Sequence, residues 1–154
     1  MRRKTLARSE CRAELVNRLR QARLDNVRQW GRMTAHQMIC HVSDAFRMAL
    51  GEKHVEDVST LAKRTLVKWL ALYMPLQWRP GIVTVPEVDQ EVGGTRPAEF
   101  ARDLKDVETL LVRFASRAGK GEWPRHPIFG RMSEGDWMRW AYLHTDHHLR
   151  QFGL

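Results

Sequence analysis

Residues 98–118 carry the most regular apolar period in the chain, with Phe100, Leu104, Val107, Leu111 and Phe114 at steps of four, three, four and three. An α-helix with one buried face brings such a series onto one side, and a strand does not. The segment ends at Gly119, a usual helix stop. Three other stretches follow the same rule. Ser9 is placed to cap a first helix running to about Gln21, with Cys11, Leu15, Leu19 and Ala22 as its stripe. Thr34 and Gln37 have the spacing of a capping box and open a second helix that reaches Leu50 and stops at Gly51. Ser133 and Asp136 open the last helix, which runs nearly to Leu154. A further helix is expected over 59–74, carrying Leu61, Leu66, Leu70 and Met74 and ending before Pro75. Between them, residues 77–97 hold three prolines, three glycines and the β-branched run Ile82 to Val85. That composition predicts a long irregular loop, with room for one short isolated strand. The expected fold class is therefore all-α.

At 154 residues and 18.0 kDa, the chain has the length of one domain, 1–154. The longest apolar run, Leu66 to Leu76, is broken by Lys68 and is too short to span a bilayer. No membrane association is expected. The basic N-terminus lacks the apolar block of a secretory signal, so a cytoplasmic location is expected. Two cysteines, Cys11 and Cys40, are too few for a disulfide framework or a cysteine zinc site, and each reads as a small buried hydrophobe.

The net charge of +8 is unevenly placed. Residues 1–32 carry ten basic side chains against three acids, so seven of the eight charges sit there and the remainder of the chain is nearly neutral. The arginines are spread around the first helix, and no zinc-finger or RNP-type motif accompanies them. A solvated arginine-rich face is the expected reading, and nucleic acid is not the expected partner.

The histidines are placed more tellingly. At about 100° per residue, with Trp137 at zero, His148 falls near about 20° and His144 near about −20°, the middle of the inward stripe of the last helix. His147 lies on the flank. On the second helix His41 shares the apolar arc with Met38, Ala45 and Met48, while His36 lies on the polar side. A single histidine on such a stripe is ordinarily a hydrogen-bonded core residue. Two at i,i+4 with a third on another helix favour a shared divalent metal ion, which takes one nitrogen from each ring. Zinc, nickel, iron and manganese all accept imidazole.

The segments Trp30-Gly31-Arg32-Met33-Thr34-Ala35-His36-Gln37-Met38-x-Cys40-His41-x-x-Asp44, His126-Pro127-x-Phe129-Gly130 and His144-x-x-His147-His148-Leu149-Arg150-Gln151-Phe152 resemble the DinB-like superfamily. More narrowly they resemble its YfiT-like group and an uncharacterised bacterial branch with this C-terminal pattern. The resemblance implies a four-helix bundle in up-down-down-up order, often a homodimer, with a divalent metal held by His41, His144 and His148. Relatives with assigned activities include thiol-dependent transferases and an isomerase, so the resemblance also implies a low-molecular-weight thiol and a small-molecule substrate.

A three-histidine site leaves a coordination position open for water or substrate. Asp44, Gln37, Gln151 and His147 stand close enough on their helices to orient the ligands. Asp44 could alternatively serve as a direct ligand or a catalytic base, with ordinary hydrogen bonding at the bundle end as the plain reading for it, Gln37 and Gln151. His126 and its neighbours are expected to shape the turn into the last helix. The leading expectation is a metal-dependent transferase or hydrolase. The alternatives are a non-catalytic metal- or ligand-binding bundle and, last, a nucleic-acid-binding accessory acting through the first helix.

Overall fold

The computed structural model describes residues 3–75, 77–81 and 84–154. Its helices are α1 (Ser9–Leu19), α2 (Ala35–Ala49), α3 (Lys68–Tyr73), α4 (Phe100–Ala115) and α5 (Glu134–Gln151). A π-helical turn, Lys63–Val67, runs into α3, and a single 3-10 turn, Pro86–Val88, lies in the long loop. Among the described residues there is no strand, only one isolated antiparallel bridge between His126 and Gly130. The fold is all-α. No helix among the described residues is long and apolar enough to cross a membrane.

Local chemistry accounts for the sharpest boundaries. Thr34 accepts from the Gln37 amide while the Gln37 side chain accepts from the Thr34 amide, closing the capping box of α2. Ser133 and Asp136 do the same for α5. The free carboxylate oxygen of Asp136 accepts from the Tyr73 hydroxyl, which ties α3 to the start of α5. Ser133→Ala removes the cap from the helix that carries His144 and His148. We expect it to cost about 1 kcal/mol, read as a fall of roughly 3 °C in the thermal midpoint.

Packing closes around these helices. α1 lies against α4 and α5, and α2 lies against the same two. The enclosed core includes Leu15, Met38, Phe46, Leu111, Phe114 and Trp137. In α4 the expected stripe is buried at Val107, Leu111 and Phe114 and half-buried at Phe100 and Leu104.

Three boundaries differ from the expectation. Ser9 is the first residue of α1, not its cap; Arg8 stands at the cap position and no side chain bonds there. That helix ends at Leu19 and not near Gln21. α4 starts at Phe100, not residue 98, because the Glu99 carboxylate caps it, accepting from the Ala101 and Arg102 amides; it ends at Ala115.

The third helix departs most. Leu61, Leu66 and Leu70 are 79%, 60% and 44% exposed, and within α3 the buried side chain is Leu72. The apolar series is exposed as a group, with Trp69 at 52%, and does not form an inward face. In the long loop, the strand allowed for at 82–85 falls partly on residues 82 and 83, outside the described residues; Thr84 and Val85 are not in a strand.

Acids answer much of the basic leading segment. Arg8 pairs with Glu10, Arg18 with Asp146 at 2.7 Å, Arg20 with Glu108 and Arg32 with Glu91. Most of these partners lie far along the chain, so much of this charge clamps α1 and the following turn onto α4, α5 and the loop.

Candidate metal centre

α2 and α5 pack face to face where the two histidine-bearing turns meet. The Nε2 atoms of His41 and His144 are 3.2 Å apart. One nitrogen from each of His41, His144 and His148 lies within 4.8 Å of the other two. Nitrogens at ~2.0–2.1 Å from one tetrahedral ion stand about 3.3 Å apart; the His41–His144 pair has that separation, and the His148 nitrogen lies within 4.8 Å of both. All three rings are buried or nearly so.

Hydrogen bonds set which nitrogen is free. His41 Nδ1 donates to the Val88 carbonyl at 2.7 Å, leaving the Nε2 lone pair for a ligand. His148 Nδ1 donates to Gln151 Oε1 at 3.1 Å, and Gln151 Nε2 donates in turn to the Trp30 carbonyl at 2.8 Å. Gly31 keeps that second bond: its φ is +79°, and a Cβ there would stand 2.5 Å from Gln151 Nε2. His144 lies flat against Trp140, ring centres 5.0 Å apart and planes 19° apart, which holds its orientation.

Burial keeps the rings neutral. It is the largest influence on His41, His144 and His148 and pushes all three below the ordinary histidine range, the last two well below. For His144 and His148 neighbouring imidazoles reinforce the effect, since a second proton in the cluster meets a first. Neutral imidazole is the form that binds a metal.

The remaining candidates have other surroundings. Gln37 is engaged in the α2 capping box. His147 is buried beside Trp30 and Trp78 with Nδ1 unbonded among the described residues. Asp44, one turn beyond His41, is fully buried. Its oxygens accept from the Thr95 amide and hydroxyl, both at 2.7 Å, and from Gln90 Nε2 at 3.0 Å, and they pair with Lys53 and Arg47. Asp44 thus pins the loop that carries Val88, and Val88 in turn orients His41.

A cavity of about 270 Å³ opens beside the triad. His126 lines it. Its Nδ1 accepts from the Ile128 and Phe129 amides, both at 3.1 Å, and its backbone pairs with Gly130, so the His-Pro-x-Phe-Gly stretch folds as a turn ahead of α5. Burial lowers the His126 pKa to about 3. Two aromatic residues complete the site without having been singled out as site residues in the sequence. Trp140 sits between His126 and His144, and Trp78, from the long loop, faces His144 and His147. A tryptophan in a proline- and glycine-rich loop was the one available cue for Trp78.

A family model matches residues 6–153, nearly the whole chain and every ligand-bearing segment. The chain belongs to the family described as "protein of unknown function (DUF1569)". No curated protein and no solved structure matches it.

This DUF1569 chain holds a second group with ligand-like spacing, His36, Cys40 and Asp103, between α2 and α4. Its bonds are already made. His36 Nε2 lies 2.8 Å from an Asp103 oxygen that also accepts from the Ala98 amide. Burial, with the nearby carboxylates of Asp103 and Asp44, pushes the Cys40 thiol up to about 12, which keeps it protonated. The three imidazoles, by contrast, stand together with nitrogens that no acid bonds among the described residues.

Proposed function

We propose that this chain is a divalent-metal-dependent enzyme of the DinB-like kind, a four-helix bundle in up-down-down-up order that acts on a small molecule in the cytoplasm. The observation that carries this reading is the convergence of His41, His144 and His148 at the wall of a cavity of about 270 Å³. Three neutral imidazoles would supply half or more of the coordination of zinc, nickel, iron or manganese, and the cavity lies beside them. The ion, when bound, supplies a Lewis acid that lowers the pKa of a water or thiol at that position. The protein's own residues do the rest. Val88 and Gln151 hold two imidazoles in the ligating tautomer, Trp140 fixes the third, and the loop anchored on Asp44 lines the cavity through Val85 and Val88.

A thiol-dependent transferase or a hydrolase are the reactions that such a centre serves, with a low-molecular-weight thiol as co-substrate in the first. A second copy of the chain would find the exposed side chains of Leu61, Leu66, Trp69 and Leu70, from just ahead of the π turn into α3. The homodimer that the resemblance implies is therefore proposed to form there. Sedimentation of the protein at twice 18.0 kDa, falling to one copy in Leu66→Glu, is the expected result.

Metal analysis of untagged protein tests the central reading. We expect about one equivalent of a divalent metal per chain. Each of His41→Ala, His144→Ala and His148→Ala should lower affinity by at least 10- to 100-fold, the range seen when even a residue behind a ligand is lost. Full metal content in all three variants would place the ion elsewhere. Turnover with thiols and electrophiles then separates an enzyme from a protein that only stores the metal.

A further inference from the structure

The wall of the cavity beside the triad carries information about what enters it. Among the described residues that line it, none is Asp, Glu, Lys or Arg. Away from the imidazoles the surface is largely Met48, Val67, Ala71, Val88, Ile128 and Phe129, with Thr84 supplying a hydroxyl. A charged group placed against such a wall loses its water and gains no counter-charge, which is strongly unfavourable. An apolar group placed there gains in proportion to the area it buries. Size bounds the guest as well. An engineered apolar cavity of ~150 Å³ takes a benzene, so about 270 Å³ accommodates one ring with a short arm.

We propose that the cavity binds an uncharged, mainly apolar molecule of about one ring and a short chain, which reaches the cation through a single donor atom, and that it discriminates against multiply charged thiols of the peptide kind. This rests on His41, His144 and His148 being the ligands. It narrows the substrate class, because a thiol such as glutathione brings two carboxylates and an ammonium to a site that offers none of them a partner.

Three thiols that share the donor atom and differ in the body test this. The full-length protein is loaded with cobalt(II), and 2-phenylethanethiol, 2-mercaptoethanol and glutathione are each titrated while the thiolate-to-cobalt absorption is followed. Burying the phenyl ring predicts that 2-phenylethanethiol binds roughly 10- to 100-fold more tightly than 2-mercaptoethanol. Glutathione is expected to bind no more tightly than 2-mercaptoethanol. Ala71→Phe, which fills the cavity, should cut the phenyl advantage to less than about threefold. Ile128→Arg, which adds a cation to the wall, should shift the order toward glutathione. Tighter binding of glutathione than of 2-phenylethanethiol overturns the proposal, as does an unchanged order in both variants. If cobalt binds but no thiol changes its spectrum, this inference fails while the triad stands. If cobalt does not bind, the metal reading fails and takes the inference with it.

Discussion

Asp44→Ala lowers the free energy of unfolding by about 3–5 kcal/mol, the cost of removing one partner from a buried charged pair. The carboxylate is fully buried on α2, and its partners come from three separate places: Lys53 after the helix, Gln90 and Thr95 in the loop, and Arg47 on the helix itself. Without it, Gln90 and the Thr95 amide lose their acceptor and Lys53 its counter-charge. Asp44→Asn keeps the shape and one acceptor oxygen but gives up the charge, so a smaller loss is expected, about 1–3 kcal/mol. Urea unfolding of the metal-free protein at neutral pH measures both. The effect should also reach the site, since a released loop no longer fixes the Val88 carbonyl against His41. Metal affinity is therefore expected to fall along with stability. Equal stability of Asp44→Ala and the unsubstituted protein would mean that the loop is held by something else.

Acid unfolds the metal-free protein early. Burial depresses the pKa of His41, His126, His144, His147 and His148 in the folded state. The unfolded chain takes up these protons near pH ~6.5. The folded rings resist them, His126 until about 3. Stability is therefore complete above the unfolded value and is lost progressively as pH falls below it toward the depressed folded values. Each such ring contributes a slope of about 1.4 kcal/mol per pH unit. Several acting together make the protein much less stable at pH 5 than at pH 7.5. Thermal midpoints across that range, measured with and without excess zinc, check this. Zinc holds three of the rings neutral and should move the acid limb to lower pH. His126→Asn leaves an oxygen for the two turn amides and should reduce the slope by about one proton. A flat profile in the metal-free protein would mean that the rings are hydrated in solution.

What the sequence shows about this molecule is what depends on short spacings. Capping boxes act over three residues, so the starts of α2 and α5 were readable at Thr34–Gln37 and Ser133–Asp136. Helical projection acts over one or two turns, and it put His41, His144 and His148 on inward faces, where the structure brings their nitrogens together. Features set by partners distant in the chain were not readable. Asp44 stood among several roles because Gln90 and Thr95 approach it only through the path of the loop. Most basic side chains of the first segment are exposed, as expected. The ion pairs of Arg18 and Arg20 were not readable, because Asp146 and Glu108 lie some ninety to one hundred and thirty residues away. The third helix misled because its leucines match a helical count only loosely, and the π turn at Lys63–Val67 has no local signature in side-chain type.

The nature of the atoms around the ion decides between the two groups of ligand-like residues in this chain. X-ray absorption at the zinc or cobalt edge of the loaded protein gives that directly. With His41, His144 and His148 as ligands, the first shell contains nitrogen or oxygen near ~2.0–2.1 Å and no sulfur, with the outer-shell scattering of three imidazole rings. A sulfur scatterer near ~2.3 Å would point to Cys40, with His36 and Asp103, and would contradict the three-imidazole centre.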